Sequence, residues 1–443
     1  MMRVSVSLAA VAACMFGNGG LADTVPQAMP FPSSCKGVSA MRYTHQIHAD
    51  WQITKLAGGL RQPRTVVFDP HGNMLVLQAT SGISVHTFGP DGCINKTSTL
   101  VANRGLNHAL TLTPDGQTLY ASSETTAWQW RYDAAAMAVA DEKVVVRGMA
   151  QGVHSTRTMV VVPQKPNLVL LQVGANNNWD YGAASPSAGR AIVKVFDMDT
   201  VPAGGYSYNT GGTVFGYGMR NEIGLAVDPA GHVWGVENSG DDFRRTVNGA
   251  AKDIHKDNPA EKLNYLGDPT DPKGTWFGYP TCFAVWEPSL ITDTAFKTGD
   301  QFVVTPNATF GDKDCVGQAT PPRLSFQAHS APIAAAFDVG ATNLYVTFHG
   351  SWDRQPGTGY KLVQVPFTKL ASELYDPVAS ADSQKGYNDI LWAQSNACQS
   401  QSLTISSCWR LAAATWDPAG TRLILSSDNS QEGELFVLAK KAA

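Results

Sequence analysis

Apolar positions along this chain fall in short runs, and one arrangement of them keeps returning: an apolar run, a turn of Asp, Pro or Gly, then a second apolar run. The first copy is Val66-Val67-Phe68, the turn Asp69-Pro70-His71-Gly72-Asn73, and Met74-Leu75-Val76. Further copies run from Leu110 to Tyr120, Val160 to Leu170, Leu225 to Trp234, Ala336 to Val346 and Ala414 to Ile424, six in all. Proline presets φ for such a turn, glycine supplies positive φ, and β-branched and aromatic residues fill the strands, so each copy predicts a β-hairpin. A lone hairpin cannot bury its faces. Six arranged radially bury each sheet against the next and leave few open edges. The pattern predicts an all-β, six-bladed β-propeller. A β-sandwich or two smaller β domains would not require a sixfold recurrence.

The turns fall at Pro70, Pro114, Pro163, Pro229, Val339 and Pro418, so the early steps match single blades and the later ones need insertions. Those insertions are expected around 180–215, 240–325 and 360–405, where long loops on a rigid scaffold carry function. The 41 glycines and 25 prolines suit many short strands. No P-loop, dinucleotide-binding glycine fingerprint or zinc-type Cys/His cluster is present.

The N-terminus alters the compartment. Arg3, the apolar run Val4 to Phe16 and the small residues Gly20-Leu21-Ala22 read as a cleaved export signal, with residues 23–443 forming the propeller. Cleavage would remove Cys14 and leave an even six of the seven cysteines, as an oxidising compartment favours. Six cysteines allow 15 connectivities; neighbours in sequence are Cys35 and Cys93, Cys282 and Cys315, and Cys398 and Cys408. Asn95-Lys96-Thr97 and Asn307-Ala308-Thr309 are glycosylation sequons. These signals together predict a secreted, extracellular glycoprotein. A net charge of −4 offers no basic face for nucleic acid, and no stretch reaches the ~18 apolar residues of a membrane span.

Polar residues stand where inner strands begin: Arg64, His108, His154 with Arg157, Arg220-Asn221, His329 and Arg410. Singly, each is more often a cap or a surface ion pair. In a propeller they converge at one mouth of the central channel, and a ring of mostly cationic groups is costly unless something anionic sits among them. The pattern points to a ligand with carboxylates or phosphates, which arginine grips bidentately.

Three segments carry a resemblance: Gly152-Val153-His154-Ser155-Thr156-Arg157, Gly218-Met219-Arg220-Asn221-Glu222-Ile223-Gly224-Leu225 and Val236-Glu237-Asn238-Ser239-Gly240-Asp241-Asp242. They are similar to the signature segments of soluble quinoprotein sugar dehydrogenases, which use pyrroloquinoline quinone and calcium on a six-bladed propeller. His329-Ser330-Ala331-Pro332 and Phe348-His349-Gly350-Ser351-Trp352-Asp353-Arg354 resemble the sorbosone dehydrogenase branch, in particular its fungal pyranose dehydrogenases. The likeness covers nearly the whole chain from about residue 50. It implies that His154 is the general base at the sugar C1 hydroxyl while hydride moves to C5 of the quinone. It implies that Arg220 and Asn221 lie at the quinone oxygens, where Arg220 would stabilise developing negative charge. Arg410 would grip a cofactor carboxylate, with Arg64, Arg157 and Arg354 as further contacts. Backbone oxygens of Ser239 and Gly240, with Asp241, would ligate calcium. The chain departs from the bacterial glucose dehydrogenases in placing His349 and Trp352 where those have a cofactor lysine, and in a shorter calcium loop without its proline.

A second acidic run, Asp257, Asn258, Glu261, Asp268 and Asp271, reads either as a structural calcium site or as a solvated loop. The expected partners are a small sugar, an aldose or keto-aldose, and a separate electron acceptor such as a secreted cytochrome or an oxidative polysaccharide enzyme. Two rival functions fit the fold: a calcium-dependent hydrolase acting on lactones, and a propeller that binds carbohydrate without catalysis.

Overall fold

The computed structural model describes residues 28–393, 398 and 406–442; the expected leader, residues 1–22, lies outside them. The protein is a six-bladed β-propeller. Six sheets of four to six strands stand around a channel, and two two-stranded ribbons lie outside them. The inner strands, from the first blade to the sixth, are Pro63–Phe68, Leu110–Leu112, Arg157–Val162, Gly224–Val227, Pro332–Phe337 and Leu411–Trp416. Each pairs antiparallel with the next strand in sequence, as in Val66 opposite Val76 and Leu225 opposite Gly235.

The hairpin turns work as their sequence requires. Asp69 Oδ1 accepts the N–H groups of His71 and Asn73, both at 2.9 Å, and Asp228 Oδ1 accepts those of Ala230 and His232 at 2.9 and 3.0 Å. Gly72 and Gly231 follow with φ of 79° and 87°, values that favour glycine.

Apolar residues between blades form a chain of cores. Leu75, Leu77 and Val85 of the first blade pack on Leu110, Leu119 and Trp130 of the second. The sequence of cores ends where the sixth blade meets the first: Ile424, Leu435 and Val437 pack on Val66, Met74 and Val76. Leu56 fills this last core from an early strand, Trp51–Leu60, which pairs antiparallel with Gly433–Lys440 and completes the sixth blade. The ring is thus closed by strands from both ends of the sequence.

Two long insertions flank the fourth blade's third strand, Glu261–Gly267: the first carries the ribbon Arg244–Val247 with Ala250–Asp253, and the second carries the ribbon Cys282–Ala284 with Gln301–Val303. The second also carries the helix Asp312–Gln318, the one α-helix among the described residues. A shared core, with Phe243, Tyr279, Phe283 and Phe302, seats them beside the channel mouth. Disulfides join Cys35 to Cys93, Cys282 to Cys315 and Cys398 to Cys408. No helix among the described residues is long and apolar enough to cross a membrane.

Leu56→Ala is expected to destabilise the protein by about 2–5 kcal/mol, because a buried side chain at the ring closure leaves a cavity. Urea unfolding measures this, and a change within about 0.5 kcal/mol would place closure elsewhere.

Candidate active site at the channel mouth

The channel, about 340 Å³, is walled by inner-strand residues that are mostly small or apolar, with Arg64 and His108 in its lining. Polar groups gather where the inner strands start. Because second strands run antiparallel to the inner ones, their C-terminal ends arrive at the same pole. Asn178, Ser239 and Asp241, His349 and Asp353, and Asp428 follow those second strands.

Asp428, buried at the end of the sixth blade's second strand, is the hub of one half of the mouth. Arg64 of the first blade donates to its Oδ2, and His349 Nε2 of the fifth donates to its Oδ1 at 2.6 Å. Arg64 Nε also donates to His108 Nδ1 of the second blade at 3.2 Å. Arg410 Nη2 donates to His349 Nδ1 at 2.7 Å, which fixes His349 as the neutral Nε2–H tautomer. Burial lowers the His349 pKa to about 4, with the Arg410 charge adding to the effect. Burial alone would raise the Asp428 carboxyl, but the adjoining His349 and Arg64 outweigh it and hold it ionised.

The other half centres on His154 and Arg220. His154 Nδ1 donates to the Ala175 carbonyl at 2.7 Å, leaving Nε2 as the acceptor. Burial, with the Arg220 charge adding to it, lowers its pKa to about 3. Arg220 donates to the Ser239 carbonyl at 2.6 Å and to Asn178 Oδ1 and Asp241 Oδ2, both at 3.0 Å. Its Nε is buried and finds no hydrogen-bond partner among the described residues. Beneath it, Glu237 Oε1 accepts the Arg220 backbone N–H at 2.8 Å, and Oε2 pairs with Lys262 at 3.0 Å. Neighbouring Glu222 is held protonated by burial and by Glu237.

Asp241, His329 and Asp353 each offer a ligand atom within 4.8 Å of the others. The backbone is constrained around them: His329, Ala331 and Asp242 have φ of 61°, 54° and 58°. Burial would raise the Asp241 carboxyl, but the His329 hydrogen bond and Arg220 keep it low. Two carboxylates and an imidazole make a mixed oxygen–nitrogen donor set, in which the carboxylates suit a hard cation.

A family model described as TrAA12-like matches residues 45–441. The chain belongs to the TrAA12-like family. It is 38% identical over 410 residues to the pyrroloquinoline quinone-dependent pyranose dehydrogenase of Coprinopsis cinerea, covering 92% of this chain and 56% of that protein. The chain therefore spans about half the length of that relative. It is 34% identical to the pyrroloquinoline quinone-dependent sugar dehydrogenase of Hypocrea jecorina, over 90% of each chain. Among solved structures, the holo pyranose dehydrogenase domain from Coprinopsis cinerea superposes with a TM-score of 0.89 at 37% identity, covering 93% of this chain and 100% of that one. A calcium structure of the Trichoderma reesei family AA12 enzyme gives 0.84 at 32%, covering 92% and 100%.

Within this TrAA12-like member, Arg64, His154, Arg220, Asn221, His349 and Arg410 gather at the inner-strand starts and second-strand ends of the mouth, and Trp352, next in sequence to Asp353, is half exposed. Asn221 is held in place, accepting from Gln172 and donating to Asn238, both at 3.2 Å. Arg157 does not meet the expectation of a cofactor contact. It is fully buried, and its guanidinium donates to the carbonyls of Glu124, His154, Thr156 and Ala150, so it clamps the loop that carries His154. Arg354 is likewise engaged elsewhere, donating to Asp257 at 2.8 Å and to the carbonyls of Lys256 and Pro356. The Ser239 carbonyl already accepts from Arg220, whereas Asp241 joins the metal-ligating group. The second acidic run does not converge: Asp257 pairs with Arg354, Asp271 with Lys273, and Glu261 accepts the N–H groups of Ser239 and Ala331. Asp428 and Asn178 stand in neither the inner-strand starts nor the segments that carry the family resemblance, and Asp353 lies within one of those segments without a role being read for it.

His154 should therefore remain neutral in the protein at pH 5, with the proton on Nδ1. Nitrogen-15 NMR of the imidazole reads this directly; a doubly protonated ring at pH 5 would contradict the assignment.

Proposed function

We propose that this protein is a secreted oxidoreductase that removes hydrogen from C1 of a pyranose or keto-aldose, using pyrroloquinoline quinone with calcium, and passes the electrons to an external acceptor. The observation that carries this reading is the pairing of a neutral His154, its Nε2 available as an acceptor, with an adjacent guanidinium whose Nε lacks a partner. One group is suited to take a proton and the other to face developing negative charge.

The residues present fit the cofactor. Arg64 and Arg410 are cations gathered on the single carboxylate Asp428, an arrangement that suits added anionic groups. Arg220 and Asn221 suit carbonyl oxygens, and the exposed Trp352 ring suits a flat face. Asp241 and Asp353, which lie with His329 in one group of possible ligands, supply the carboxylate oxygens that suit calcium. When bound, pyrroloquinoline quinone supplies a two-electron acceptor. His154 Nε2 accepts the proton of the sugar hydroxyl, while the Ala175 carbonyl holds the ring and its tautomer. Arg157, by clamping the backbone at His154, fixes where that proton is taken. His349 and Asp428 orient Arg410 and Arg64 and so act by positioning.

Three disulfides agree with an oxidising compartment. The names of the two relatives, a pyranose dehydrogenase and a sugar dehydrogenase, support the substrate class.

The test is dye reduction by protein reconstituted with pyrroloquinoline quinone and calcium, across a panel of aldoses and keto-aldoses. His154→Ala should keep the cofactor, read by its absorbance after gel filtration, and lose turnover by about 10²–10⁴-fold. Turnover retained in that variant would remove His154 from the role. No turnover of any sugar by the loaded wild-type protein would turn attention to lactone hydrolysis.

A further inference from the structure

Beside the mouth lies a groove of about 540 Å³, within the ~300–1,000 Å³ range of small-molecule sites. Its floor is aromatic. Trp179 is packed against Phe243 and Phe283, with ring centroids 4.7 and 5.5 Å away, and so is fixed in place. Tyr181 lies over Trp179 at 6.5 Å with the planes only 19° apart, yet it is 69% exposed. An exposed tyrosine stacked on an anchored tryptophan extends a flat apolar platform into solvent. Phe310 adds a third ring, and Asp242, Arg244 and Asn307 place polar groups along the lining.

The groove adjoins the candidate active site through hydrogen bonds. Asp242, which lines it, donates its backbone N–H to Asp353 Oδ2 at 3.0 Å, and Asp353 belongs to the metal-ligating group. Asn178, one residue before Trp179, accepts from Arg220 at 3.0 Å and from the Asp241 N–H at 2.9 Å.

We infer that this groove binds the sugar residues that follow the reacting one, so that the protein takes the reducing end of a neutral oligosaccharide and not a monosaccharide alone. Pyranose rings present apolar C–H faces that stack on flat aromatic surfaces, and their hydroxyls bond both carboxylate and guanidinium. One acidic and one basic side chain balance each other in the lining, which favours an uncharged chain over an anionic or cationic one. The inference rests on the oxidation reading above, which supplies the end of the chain.

The experiment separates the two. Reduced cellotetraose, maltotetraose and xylotetraose end in an alditol and cannot be oxidised at C1, so binding is read without turnover. Each is titrated into protein freed of N-linked glycan, because Asn307 on the rim heads a sequon, and tryptophan fluorescence is followed. Saturable binding of at least one is expected, weakened about 3- to 10-fold in Tyr181→Ala and retained in Tyr181→Phe, with glucose turnover unchanged in both. No saturable binding of any of the three, or equal affinity in Tyr181→Ala, overturns the inference. Failure of the oxidation reading shows separately, as absent turnover of every monosaccharide in the panel by the reconstituted wild type.

Discussion

Four blades meet at one carboxylate. Asp428 belongs to the sixth blade, accepts from Arg64 of the first and from His349 of the fifth, and reaches His108 of the second through Arg64. Removing one partner from such a buried cluster leaves an uncompensated charge, at a cost of about 3–5 kcal/mol. The cluster sits where the ring closes, directly above the core that Leu56 and its neighbours fill. Closure of the propeller and preorganisation of the mouth therefore share one location. Arg410 is oriented by the same cluster through His349, whose tautomer is dictated by its two partners.

The second half of the mouth is built by a different device. Arg220 is held from below by Glu237 and Lys262 and from the side by Asn178 and Asp241. Arg157 spends its donors on the backbone around His154. Both arrangements fix a reactive side chain by satisfying its surroundings, as a precise site on a rigid scaffold requires. Loops supply what the blades do not: Asp242 beside Asp353, and an aromatic wall to which the third blade's loop gives Trp179 and Tyr181 and the fourth blade's insertions give Phe243, Phe283 and Phe310.

The fold was legible because each hairpin is written locally. An Asp that accepts the N–H groups of its own turn, followed by a glycine at positive φ, is a short-range signal that recurs in the first, fourth and sixth blades at Asp69, Asp228 and Asp417. Closure by Trp51–Leu60 was not legible, since nothing in that strand states that its partner is Gly433–Lys440, nearly the whole chain away. At the site, inner-strand starts such as His154 and Arg220 could be read from their place before each repeat. Asp428, Asn178 and Asp353 lie past second strands, where a polar residue resembles any loop residue. The antiparallel hairpin was the missing clue, because it returns those ends to the same pole. Arg157 and Arg354 were misread because an arginine beside a strand looks the same whether it faces a ligand or backbone carbonyls.

The central claim is that the cations around Asp428 and Arg220 form a site for an anionic quinone. Calorimetric titration of the purified protein with pyrroloquinoline quinone, with and without calcium, tests it most directly. The account predicts saturable one-to-one binding that requires calcium and that weakens when Arg64 or Arg410 is replaced by alanine. A folded protein that takes up no quinone with calcium present would contradict it.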